Sequence, residues 1–341
     1  MTISDIYLHV GPVKTGSSYL QSIMWVSRDA LREQGILLPV THPNEFFLAA
    51  NDVQDGQFVL VETPEAEGAW ARVAARSLSW PGRVLITCEL LGFSGQDHVK
   101  RIANSLAPAT LHLIVMARCR ADVLPSIYQE KIKMVDPDQS WEDFLRAYRA
   151  SHRAWRHSPG AILGRWLPHV DRQRVHVITV PQRSADSLLL LRRFAEVLGI
   201  DDSRVVTAGA LANTSLDAID VELLRTVTAR TAGQLDRRAQ RGLINDGLLP
   251  VLQRLDRPRR PFRLPASFQR LMTEAAARDI EAISATGCHV HGDLDELLPG
   301  GEAFEVDREA RDHVPPADVL NVAIDALVTM ARTQSGNSKG A

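Results

Sequence analysis

A chain of 341 residues, 45% hydrophobic and 23% charged, has ordinary globular composition, which excludes the disordered and fibrous classes. Its formal net charge of −2 offers no global attraction to nucleic acid or to an anionic membrane, so any anion site must be a local concentration of positive charge with a small ligand. Three widely spaced cysteines (Cys88, Cys119, Cys288), no run of 18 apolar residues and an N-terminus unlike a signal peptide predict a reduced, cytoplasmic chain without an integral membrane segment.

The first strand is expected over 5–10. A helix follows from the glycine-serine turn at 16–18, with Tyr19, Leu20, Ile23, Met24 and Leu31 spaced for one buried face. It stops before Gly35, and 36–38 read as a short strand closed by Pro39. The polar and acidic stretch to about 68 reads as loop with short helical turns. A helix over Ala69–Ser79 leads through Pro81-Gly82 to a third strand, 84–87, with Cys88 and Glu89 at its end. A fourth strand, 111–117, is apolar apart from His112, as in the buried middle of a parallel sheet. Helices at about 121–134, 140–150 and 159–168, a strand at 175–180 and a helix at 184–198 continue the alternation. Beyond Asp201 the pattern turns helical, at about 216–230, 243–255 and 265–285.

Strands alternating with helices predict an α/β fold, a three-layer parallel sheet flanked by helices, with ligands at the carboxyl ends of the strands. Residues 1–333 are expected to form one domain, 201–300 its helical continuation on the acceptor side, and 334–341 a flexible polar tail. Three chemical groups fall at strand ends: the loop after strand one, Glu89 after strand three and Arg118 after strand four.

The loop reads Gly11-Pro12-Val13-Lys14-Thr15-Gly16-Ser17-Ser18. An ordinary phosphate loop, G-x-x-x-x-G-K-[ST], places lysine after the second glycine. Here Ser17 takes that place and Lys14 stands two residues before Gly16. Only five lysines occur (14, 100, 131, 133, 339) among 39 basic residues, so a compact ammonium at 14 is a specific choice rather than a default surface cation. A second pattern, Arg118 followed eight residues later by Ser126, trails the buried strand. A planar guanidinium suits phosphate because it can donate two parallel hydrogen bonds.

The loop resembles the 5′-phosphosulfate loop, G-x-x-K-T-G-[ST]-[ST], of sulfotransferases that use 3′-phosphoadenosine 5′-phosphosulfate (PAPS), bacterial and carbohydrate-type members above all. Ser140-Trp141-Glu142-Asp143-Phe144-Leu145, Trp166 and Gly292-Asp293-Leu294-Asp295-Glu296-Leu297 are similar to further segments of that family, so the likeness spans roughly 6–300 while only the first two motifs are specific. The resemblance implies a P-loop-type fold and transfer of a sulfuryl group from PAPS to a hydroxyl or amine, with no metal and with a carbohydrate or small metabolite as acceptor. It implies Lys14, Thr15, Gly16, Ser17 and Ser18 around the 5′-phosphate, and Arg118 and Ser126 on the 3′-phosphate.

Glu89, in a Thr87-Cys88-Glu89 setting similar to the family's S-x-E, becomes the base for the acceptor proton, with burial expected to raise its pKa; His98 is the alternative. The basic loop over the 3′-phosphate has no clear counterpart, Arg237, Arg238, Arg241 and Asn213-Thr214-Ser215 being the candidates. His9 is expected in the core, and His289 and His291 alternate as in a strand without a third metal ligand. Two other readings stay open: an ATP-dependent kinase with a degenerate phosphate loop, and a module on the same fold that binds nucleotide without turnover. Oligomeric state is not legible in the sequence.

Overall fold

The computed structural model describes residues 4–58, 64–135, 140–151, 155–182, 186–207, 216–259, 262–305 and 314–337. Along the chain the elements are β1 (Asp5–Val10), α1 (Ser17–Val26), α2 (Arg28–Glu33), β2 (Ile36–Leu37), α3 (Asn44–Val53), α4 (Ala69–Ser79), β3 (Arg83–Thr87), α5 (Gln96–Ser105) and β4 (Thr110–Ala117). They continue with α6 (Arg120–Lys133), α7 (Trp141–Ser151), α8 (Pro159–Trp166), β5 (Val175–Thr179), α9 (Leu189–Leu198), α10 (Ala218–Thr231), α11 (Arg237–Arg241), α12 (Leu249–Arg254), β6 (Leu264–Pro265), α13 (Gln269–Ser284), β7 (His289–His291), β8 (Phe304–Glu305) and α14 (Pro316–Asn337).

These elements form an α/β fold, and two compact units can be distinguished. The first comprises Met1–Arg120, Arg153–Asn213 and Thr273–Leu298; the second comprises Ala121–His152, Thr214–Met272 and Pro299–Ala341. The first holds a six-stranded sheet in the order β2-β3-β1-β4-β5-β7, every described pairing parallel. Parallel strands covered on both faces need apolar side chains on both, and β3 and β4 carry the runs Val84-Leu85-Ile86 and Leu113-Ile114-Val115-Met116, while β1 is buried from Ile6 to Val10. Strand order reverses around β1, which pairs with β3 on one side and β4 on the other, so the turn leaving β1 lies where ligands bind in open parallel sheets.

The second unit is mostly helical, and among the described residues its sheet is the pair β6 and β8. Its aromatic core stacks Tyr128 on Phe262 with ring centroids 5.8 Å apart, and Trp141 packs beside both. Asp217 caps α10 in a capping box with Asp220, and Arg257 binds both carboxylates. α14, for which the sequence pattern gave no signal, runs to Asn337, and 338–341 lie outside the described residues.

Histidines line the sheet of the first unit. His9 is fully buried in β1, its Nδ1 2.8 Å from the Thr87 hydroxyl, and its ring meets Phe194 edge-on. The sequence reading of His9 as a core residue therefore holds. His112, His176 and His291 follow across β4, β5 and β7, with ring nitrogens 3.5 Å and 3.2 Å apart at the two steps. Burial pushes His9 down to about 4, and burial together with the neighbouring imidazoles does the same to His176. A base whose folded pKa is depressed binds fewer protons in the native than in the unfolded state, so stability is complete above about pH 6.5 and lost as pH falls toward 4. For His9 alone the loss reaches about 3 kcal/mol. Urea midpoints between pH 7 and 4.5 check this: the wild type should weaken steadily on acidification, and His9→Gln should weaken with a visibly smaller slope.

Candidate active site

The site grows from two glycines. Gly11 ends β1 where its amide donates to the Glu89 carbonyl at 3.1 Å, its carbonyl accepts from Met116, and a Cβ would sit 2.8 Å from the Glu89 oxygen. The backbone after β1 is thereby pressed against the backbone after β3, and only glycine permits that approach. Arg165 donates to the Gly92 carbonyl at 2.7 Å and fastens the opposite side of the same contact, since Gly92 lies against Gly11. Gly16, at φ 88°, turns the chain into α1, and a Cβ there would also strike Leu190.

Between them Lys14 adopts φ 65°, a left-handed conformation that disfavours any residue with a Cβ. Two bonds hold the loop in this shape. Thr15 donates its hydroxyl to the Pro12 carbonyl at 2.7 Å, and Arg118 Nη1 donates to the Lys14 carbonyl at 2.8 Å. Helix α1 then begins with Gly16 as its cap and no side-chain hydrogen bond closing its first turn. Unclosed first-turn amides and the helix dipole together favour an anion.

Glu89 opens a short 3₁₀ turn after β3 and is half-buried. Its Oε2 accepts a 2.7 Å hydrogen bond from Gln21 Nε2, a residue of α1 that the sequence reading did not single out. Gln21 lies four residues past Ser17, about 6 Å along the helix axis, so the carboxylate is tied to the same short helix whose N-terminus forms the anion site. The i, i+4 spacing from Ser17 was the available signal; the partner, 68 residues away, was not.

Gln21 and Glu89 also line a cavity of about 140 Å³ whose remaining wall includes Met24, Trp25, Leu38, Phe46 and Phe47. Phe46 and Phe47 come from α3, a helix where the sequence reading placed a loop with short turns. Phe46, Ala49, Ala50 and Val53 are its buried face. Cys88, beside Glu89, is a buried thiol whose pKa burial drives up, which makes it an inert wall rather than a nucleophile.

Other residues named from sequence lie in different surroundings. Arg118 contacts the loop itself through Lys14. Ser126 belongs to the second unit, in α6, where its hydroxyl donates to the Asp122 carbonyl one turn back. His98, the alternative base, sits at the start of α5 with Nε2 2.9 Å from Asp55, which also pairs with Arg101. Arg120, two residues past Arg118, binds Asp279 through two 2.6 Å bonds, its guanidinium over the Trp155 ring. Arg237, Arg238 and Arg241 lie on the short α11 of the second unit, and 213–215 fall outside the described residues. His289 and His291 do form a strand, β7, and among the described residues no group of three or more His, Cys, Asp or Glu is arranged to hold a metal ion. No described helix is long and apolar enough to cross a membrane.

Neither a protein-family model nor a curated protein matches the chain. Among solved structures it is similar to the crystal structure of a sulfotransferase from Alicyclobacillus acidocaldarius, with 18% identity over 70% of this chain and 94% of that one, at a TM-score of 0.40. A likeness at that level leaves the function to be argued from the site.

Proposed function

We propose that the protein is a PAPS-dependent sulfotransferase that moves a sulfuryl group to the hydroxyl of a small acceptor. One observation carries the reading: the loop Gly11–Ser18, with Lys14 in a left-handed turn ahead of an uncapped helix, has its backbone pressed against Glu89, so that an anion site and a carboxylate base adjoin. When bound, PAPS supplies the sulfuryl group, its sulfur–oxygen bond to the 5′-phosphate breaking as a bond to the acceptor oxygen forms, with release of 3′,5′-bisphosphoadenosine.

The residues divide the remaining work. Amides of Thr15, Gly16, Ser17 and Ser18, with the Ser17 and Ser18 hydroxyls, bind the 5′-phosphate at the positive end of α1, while the Thr15 hydroxyl stays on the Pro12 carbonyl. Lys14 stabilises the negative charge that grows on the departing phosphate oxygen, a preorganised contribution worth about 3–4 kcal/mol. Glu89 takes the acceptor proton, with Gln21 fixing its orientation. Arg118 keeps the loop closed over Lys14 and is the candidate for the 3′-phosphate.

Calorimetric titration with 3′,5′-bisphosphoadenosine, with AMP, and with ATP and magnesium tests the donor assignment. We expect micromolar binding of the bisphosphate without metal and much weaker binding of AMP. Arg118→Ala separates its two roles: loss on the bisphosphate alone marks a 3′-phosphate ligand, and equal loss on AMP marks a brace of the loop. Preference for ATP with magnesium would replace this reading by a kinase. Tight bisphosphate binding with no transfer to any acceptor would leave a non-catalytic nucleotide module.

A further inference from the structure

The cavity beside Glu89 has a composition that selects its occupant. Its wall is built largely from Met24, Trp25, Leu38, Phe46 and Phe47, and its polar side chains include Glu89 and Gln21, which are bonded to each other. Thr87, a further polar side chain in the wall, is hydrogen-bonded to His9. The volume of about 140 Å³ is close to the ~150 Å³ of an apolar protein cavity that stays dry and accepts benzene.

We infer that this cavity is the acceptor subsite and that it takes a small apolar alcohol, a ring or branched chain of about six to seven carbons bearing one hydroxyl, and not a sugar. The inference rests on the sulfotransferase reading for the reaction and departs from the carbohydrate acceptor that the sequence resemblance implied. A hydrocarbon body fills the wall while its hydroxyl meets the Glu89 carboxylate, the carboxylate of the lining. A pyranose of the same size carries several further hydroxyls, and an apolar wall would strip each of water without returning a partner. In the transfer step the acceptor oxygen bonds to sulfur, its proton passes to Glu89 and the sulfur–phosphate oxygen bond breaks, so an alkyl or aryl sulfate and 3′,5′-bisphosphoadenosine leave.

The experiment needs no donor. Six methionines occur in the chain, and the fully buried Met24 faces the cavity, so protein labelled with ¹³C at methionine methyls carries a reporter inside it, identified by loss of its signal in Met24→Leu. Titration with 4-methylphenol and with cyclohexanol should move the Met24 resonance saturably. Methyl β-glucoside should need at least tenfold higher concentration. Phe47→Asp, which places a charge in the wall, should weaken 4-methylphenol at least tenfold while 3′,5′-bisphosphoadenosine binding stays within threefold of wild type. A glucoside that binds within tenfold of the alcohols, or alcohols that leave Met24 unmoved, overturns the inference. Failure to bind the bisphosphate while the alcohols still move Met24 counts against the sulfotransferase reading alone, so the two failures are told apart.

Discussion

Asp279→Ala should cost about 3–5 kcal/mol of unfolding free energy, measured by urea denaturation near pH 7. Arg120 and Asp279 are both only 6% exposed at their side chains, and the pair is bidentate, Nε to Oδ2 and Nη2 to Oδ1. Removing the carboxylate takes two charge-assisted hydrogen bonds from a buried guanidinium that does not lose its proton in proteins and that also lies over the Trp155 ring. The pair itself is a different matter from its half. Replacing both partners by apolar residues of similar volume, as in Arg120→Met with Asp279→Leu, should recover most of the loss, because desolvating two charges offsets much of their attraction. If the double variant is as unstable as the single one, Arg120 holds something more than Asp279.

On the proposed chemistry, Lys14→Ala should lower the rate of sulfuryl transfer by two to three orders of magnitude, about 3–4 kcal/mol in the barrier, with a smaller effect on binding of 3′,5′-bisphosphoadenosine. Lys14→Arg should not restore the rate, since a planar fork on a longer stem cannot put a compact charge in the same place. The backbone supplies an internal control. Lys14 sits at φ 65°, which alanine tolerates poorly and glycine does not mind. Lys14→Gly should therefore be at least as stable as Lys14→Ala and equally inactive, so that lost activity cannot be laid to a collapsed loop. Equal rates in wild type and Lys14→Ala would remove the lysine from the mechanism.

The parts of this molecule that sequence made legible are those governed by short-range pattern. Helix α4 begins and ends where the spacing puts it, Ala69 to Ser79, because its apolar residues recur at one face and Pro81-Gly82 stops it. Strands β1, β3 and β4 are apolar runs of the right length. Helix α3 was read as loop although Phe46, Ala49, Ala50 and Val53 keep a helical period, since two of the four are alanines whose small apolar surface is easily missed between Asn44, Asn51 and Asp52. Helix α5 offers only Val99 and Ile102 as buried residues in ten, too few to declare a face.

At the site the division is the same. The loop and Glu89 announce themselves by residue type and position, whereas Gln21 on Glu89 and Arg118 on the Lys14 carbonyl pair residues 68 and 104 positions apart, which only the fold brings together.

The strand order has a consequence for the birth of the molecule. β5 ends at Thr179 and its outer neighbour β7 begins at His289, so about 110 residues must be synthesised before that edge is paired. At ~5–20 residues per second the edge of β5 stays open for roughly 5–20 s on the ribosome. Until the C-terminal third of the chain arrives, the nascent sheet presents His176, Val177 and Ile178 as an unmated β edge, the kind of template that a neighbouring nascent chain can copy.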